Sequence, residues 1–149
     1  MLLSKSLPVG VIMAAKILVS LGVVVYALVV PLLEINASHV FNSDWPPHAR
    51  LHEVWQLTTN CALGVLSLWL VWRRNDIRLA SVLGIIVMGA VLFAHMLEDY
   101  YGGSLLSGNI ERTILGINLV ALTAAVVVFM ALLALALDAF QGPAKRAEQ

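Results

Sequence analysis

TILGINLVALTAAVVVFMALLALAL, Thr113 to Leu137, runs for 25 residues without one charged side chain. About 20 consecutive apolar residues are enough for a helix to cross the hydrocarbon core of a bilayer, so this stretch is long enough to span with residues to spare. Three further runs resemble it: Val9 to Leu33, Leu51 to Trp72 and Leu79 to Leu97. None shows the alternating apolar and polar pattern of a barrel strand, and backbone groups in lipid must be satisfied within their own segment, so all four read as helices.

The composition agrees. The chain has 149 residues, 60% of them hydrophobic and 12% charged, and its mean hydropathy is +0.90, a balance that belongs to a membrane-embedded chain. The expected fold is a single all-α membrane domain, a bundle of four transmembrane helices over about 9–33, 46–73, 78–98 and 112–138, with 139–149 as a cytoplasmic tail. Formal net charge is zero, and the basic residues fall largely outside the apolar runs, which argues against a nucleic-acid partner. Cys61 has neither a disulfide partner nor the spacing of a thiolate metal site. The first run is too long for a signal-peptide core and is read as a retained helix.

Lys5, the Arg73/Arg74/Arg78 turn and Lys145/Arg146 would share one side of the membrane, leaving Arg50 and Arg112 for the other. The positive-inside rule then puts both termini in the cytoplasm, with a bacterial inner membrane as the expected location. Lys16 lies near the cytoplasmic end of helix 1 and can snorkel. Trp69 and Trp72 fit an interfacial belt, and Gly64, Gly84, Gly89 and Gly116 fit close helix packing. Asp44 is the expected cap of helix 2, with Pro46 and Pro47 in its first turn. Gly102, Gly103, Ser104, Ser107 and Gly108 mark the loop before helix 4, and Gly142-Pro143 its end.

All four histidines then fall at the extracytoplasmic end. His48, His52, Gln56 and Asn60 recur every four residues on helix 2, flanked by Trp55. His95, Glu98 and Asp99 stand at i, i+3 and i+4 on helix 3, followed by Tyr100 and Tyr101, and Asn118 lies on helix 4 about two turns inside its outer end. A polar side chain at that depth must face the bundle interior or a partner. Histidines at i, i+4 and a histidine with carboxylates at i, i+3 or i+4 can converge on a transition metal, which makes His48, His52, His95 and Glu98 candidate ligands. The same groups suit proton transfer, since an imidazole beside a carboxylate titrates near neutral pH. An interfacial polar belt of Trp, Tyr and His is the plain alternative.

The run His39-Val-Phe-Asn-Ser-Asp-Trp-Pro-Pro-His-Ala-Arg-Leu-His52 resembles the signature of a family of small four-helix membrane proteins without an assigned function. Within it, Ala49-Arg50-Leu51-His52 is similar to the Ala-Arg-x-His segment of the styrene oxide isomerases, trimeric membrane enzymes that rearrange aryl epoxides to aldehydes with a haem held by that histidine. The resemblance implies haem b on His52, with the iron acting as a Lewis acid on the epoxide oxygen. Thr58 stands where that family has an asparagine, and Asn60 follows two places on. A further, fold-level analogy is to the sterol-isomerase-like membrane fold.

Three functions are therefore expected to compete. One is an isomerase or related lyase acting on a small lipophilic substrate, with His95, Glu98, Asp99, Asn60 and Tyr101 catalytic, Trp55, Gln56 and Asn118 holding substrate, and His52 and His48 holding haem, another transition metal or no cofactor at all. The second is a non-catalytic haem or metal carrier, and the third an accessory subunit of a membrane complex. Association into a homo-oligomer is expected in each case.

Overall fold

A computed structural model describes residues 9–106 and 112–140. Lys5, Ser107, Gly108 and the tail from 141, including Gly142-Pro143, Lys145 and Arg146, lie outside the described residues. The chain is an integral membrane protein, an all-α bundle with four helices long and apolar enough to cross a bilayer. The first span comprises α1 (Val9–Val24), a π turn (Val25–Val29) and α2 (Val30–Glu34). It is followed by α3 (Pro47–Arg73), α4 (Ile77–Met96), the short α5 (Glu98–Tyr101), a two-stranded hairpin of β1 (Thr113–Ile114) and β2 (Ile117–Asn118), and α6 (Leu119–Ala139). The first span packs against α3 and α6, and α4 packs against the same two, so α3 and α6 lie across the diagonal of the bundle.

Small residues set the packing in one half of that bundle. Ala15, Val19, Val23 and Tyr26 form the buried stripe of the first span, and Ala124, Val127, Ala131 and Ala134 form that of α6. Both stripes follow the helical repeat, and alanine lets backbones approach closely where lipid supplies no hydrophobic drive between helices. Gly64 marks the tightest approach, for a Cβ there would stand 2.3 Å from Ala27 Cβ. The end of this packed half is tied by Arg78 Nε donating to Asp138 Oδ2 at 2.8 Å, by Trp72 Nε1 donating to Ser20 Oγ at 3.0 Å, and by Lys16 Nζ donating to Asn75 Oδ1.

Four details differ from the sequence reading, each with a local cause. The first span is not a plain helix. Pro31 has no N–H, so the carbonyl of Ala27 loses its regular helical donor, and the chain widens into the π turn just before the proline. Cys61 Sγ, 3.3 Å from Ala27 O, donates to that oxygen, which gives the cysteine a task beyond packing. Asp44 does not cap α3; Pro46 holds the cap position without a side-chain bond, and Asp44 instead donates its N–H to Asn42 Oδ1 at 2.9 Å.

Helix 3 stops at Met96 rather than 98, because Leu97 turns the chain before α5, which Gly102 then closes at φ +70°. Helix 4 begins at Leu119, not 112. Leu115 and Gly116 adopt φ of 53° and 79°, the two-residue turn that closes a hairpin and that glycine enters without steric strain.

Replacing Gly64 by Ala should destabilise the bundle by about 1–3 kcal/mol through overpacking. The check is a lower thermal midpoint in detergent, partly restored by adding Ala27→Gly.

Candidate functional site

Beyond Tyr26 the helices no longer fill the space between them. A cavity of about 830 Å³ lies at the end of the bundle that carries the histidines. Its shaft is apolar, with walls from Val29, Val87, Val91 and Val120. Tyr26 is part of its wall and is itself 1% exposed, with its hydroxyl donating to Ser67 Oγ at 3.0 Å. Toward the loops the walls turn polar, through Glu34 from α2, Glu53, Gln56 and Asn60 from α3, His95 from α4, and Glu98 and Tyr101 from α5. No lysine or arginine among the described residues lines it.

Two histidine–carboxylate pairs stand at this mouth. His95 Nδ1 lies 2.8 Å from Glu98 Oε2. With a charged carboxylate, Nδ1 carries the proton and donates, which leaves Nε2 as the basic nitrogen. That nitrogen has no hydrogen-bond partner among the described residues. The second pair is His39 Nε2 with Glu34 Oε2, also at 2.8 Å, and His39 is buried. Ser38 Oγ sits 2.9 Å from His39 Nδ1, and Trp45 meets the imidazole edge-on at 5.5 Å between centroids.

The surrounding loop knits itself together. Asn36 Oδ1 accepts from Ser38 N at 2.6 Å, Asn42 Nδ2 donates to Ser38 O at 3.0 Å, and Asn36 Nδ2 donates to Leu33 O. His39, Asn42 and Trp45 of the quoted signature are therefore the framework of the loop that holds Glu34 in place.

Among the residues expected from sequence, His95, Glu98, Asn60, Gln56 and Tyr101 meet at the cavity. The Tyr101 hydroxyl donates to Ala94 O at 3.0 Å, so its proton is engaged and its oxygen is left to accept. Asp99 is exposed and is not in the wall. Asn118 is not two turns inside helix 4 but at its cap, where Oδ1 accepts from Val120 N at 2.8 Å, because the helix starts later than its hydropathy suggests.

His48, His52 and Trp55 lie outside the cavity wall. His48 and His52 face each other, Nε2 to Nε2 at 3.0 Å, and Trp55 stacks on His52 at 5.7 Å. A repeat of four advances about 400° per step, so His48 and Asn60 end about 120° apart around the helix. Glu53, seven residues before Asn60, lies within about 20° of it. Glu53 is thus the α3 residue that the four-residue stripe missed, and the signal for it was the spacing Glu53, Gln56, Asn60.

This split also bears on cofactors. Among the described residues no group of three or more His, Cys, Asp and Glu converges on one point, so His48, His52, His95 and Glu98 form two separate pairs rather than a single metal centre. A haem ligated by His52 would lie against the outside of α3, since neither His52 nor His48 belongs to the cavity wall. These residues do not fit a haem enclosed by the bundle.

Comparison with family models, with curated proteins and with solved structures finds no match to the chain.

His39→Ala should leave the Glu34 carboxyl without its imidazole partner and weaken the loop by about 2 kcal/mol. Amide exchange across residues 36–45 should then be roughly thirtyfold faster, at about 1.4 kcal/mol per tenfold.

Proposed function

We propose that this chain is a membrane-embedded isomerase, or a related lyase, that rearranges a small lipophilic substrate by acid–base chemistry in its cavity. The observation that carries the reading is the His95–Glu98 pair, 2.8 Å apart, set in the wall of an apolar cavity of about 830 Å³. Cavities of 300–1,000 Å³ lined mainly by apolar side chains with a few convergent polar groups are what small-molecule sites look like. A solidly filled interior would have supported the accessory-subunit reading instead.

His95 is the group that moves the proton. Held by Glu98 through Nδ1, it accepts at Nε2, and the resulting imidazolium is stabilised by the same carboxylate. An isomerisation needs one proton taken and one returned, which a single reversible base supplies. For an epoxide, the imidazolium protonates the ring oxygen and the C–O bond opens. A hydride then shifts, with its electron pair, from the oxygen-bearing carbon to the cationic one, and the protonated carbonyl so formed returns its proton to His95, leaving the carbonyl isomer with atoms and charge balanced.

Glu34 and Glu53, in a cavity lined by no lysine or arginine among the described residues, favour the positive charge that develops on carbon. Gln56 and Asn60 offer amide donors that can orient the substrate oxygen. The same charge pattern disfavours anionic substrates such as fatty acids.

The likeness of Ala49-Arg50-Leu51-His52 to the styrene oxide isomerases points to the same reaction class, but by a haem on the histidine of that segment, whereas the proposed route runs through His95 and leaves His52 outside the cavity. The arginines at the packed end, Arg73, Arg74 and Arg78, support cytoplasmic termini in a bacterial inner membrane, with the cavity mouth facing outward. We also propose that the chain works as a homo-oligomer, since short bundles with small residues on their faces commonly associate.

The test is turnover by the chain in nanodiscs on a panel of aryl and alkyl epoxides, with isomeric products separated by gas chromatography. His95→Gln should lower the rate by about 10²- to 10⁴-fold, the usual contribution of a positioned acid–base group. Glu98→Gln should lower it less, and Asp99→Asn should leave it unchanged. Equal rates for His95→Gln and the unaltered chain would overturn the assignment.

A further inference from the structure

His48 and His52 leave α3 one helical turn apart, on the exposed side of the helix and away from the cavity. Their rings meet edge-on, with centroids 4.5 Å apart and planes at 87°, and the two Nε2 atoms are 3.0 Å from each other. Trp55, three residues on, lies nearly parallel to the His52 ring, at 22° and 5.7 Å, and so limits its rotation. Neither Nδ1 has a partner among the described residues, so each Nδ1 can carry its ring's proton when both Nε2 atoms, 3.0 Å apart, turn to one ion.

A 3.0 Å gap can be bridged by one N–H, and it is also the bite of a two-nitrogen chelate. With metal–nitrogen bonds of about 2.05 Å, nitrogens 3.0 Å apart subtend about 94° at the ion. Tetrahedral zinc would need them about 3.35 Å apart. An angle near 90° is the cis angle of tetragonal coordination, the preference of Cu(II) and Ni(II) with nitrogen donors.

We propose that His48 and His52 form a two-imidazole chelate for a tetragonal divalent transition metal, Cu(II) above all, at the loop end of α3. No third His, Cys, Asp or Glu among the described residues completes the set, so the remaining positions on the ion are open to water or to an external donor. The site is separate from the cavity and does not depend on the reaction assigned to it. His95 and Glu98 belong to the other pair and take no part.

The experiment uses the full chain, free of any histidine tag, purified in detergent and titrated with Cu(II) against glycine as a weak competitor. Binding should saturate at one ion per chain at pH 7.5, with electron paramagnetic resonance giving a tetragonal spectrum with two equatorial nitrogens. His48→Gln and His52→Gln should each weaken binding at least tenfold, while His95→Gln and His39→Gln should leave the titration unchanged. Ni(II) should compete better than Zn(II), and acidification to pH 5 should release the ion from the unaltered chain, because binding requires neutral imidazoles.

Equal binding by the His48→Gln/His52→Gln double variant would overturn the proposal. So would loss of binding in His95→Gln, a preference for Zn(II) over Ni(II), or a haem absorption band that depends on His52.

Discussion

The hydrogen bond from Tyr26 to Ser67 divides the molecule. Both residues are shut off from lipid and water, and a hydroxyl stranded in such surroundings would be unfavourable by a few kcal/mol, so the two are held together. On one side of this bond the helices approach through alanine and glycine until little space is left. On the other side the same helices carry larger apolar residues and carboxylates, and they enclose a cavity. The bundle is thus closed toward Arg73, Arg74 and Arg78 and open where the histidines are.

Much of this was legible in the sequence, for reasons that can be traced residue by residue. Hydropathy locates a span because burial in lipid is a property of composition over some 20 residues, and both ends of α3 and the C-terminal end of the first span follow within a residue or so of expectation. The start of α6 does not, because Leu115 and Gly116 reverse the chain through two backbone angles that leave no trace in hydropathy. The π turn is equally silent. Among site residues, His95 and Glu98 were readable because their contact is local, three residues apart across the turn at Leu97 that joins α4 to α5. The partnership of Glu34 with His39 crosses a turn whose shape depends on Asn36, Ser38 and Asn42, and Glu53 was hidden by a stripe with the wrong period.

The four histidines, which looked like one population, serve in three settings. His39 is a buried strut for the loop, paired with a carboxylate. His95 is paired with a carboxylate too, but it stands at a cavity and keeps one nitrogen unengaged. His48 and His52 have no carboxylate between them and address each other. Charge is worth more in a low-dielectric cavity than in water, so Glu34, Glu53 and Glu98 at one mouth, with no lysine or arginine among the described lining residues, bias the cavity toward positive charge in a chain whose net charge is zero.

The widened turn at Val25–Val29 carries one residue more than the helix on either side of it would require. Pro31→Ala would return the missing donor, let the same residues wind as a regular α-helix, and turn everything after them by about 100°. The apolar length would barely change, and the protein would still insert. Glu34, however, would leave the wall it shares with Glu53 and lose its reach to His39. A single substitution that membrane-topology prediction would pass over could therefore separate insertion from chemistry in this chain.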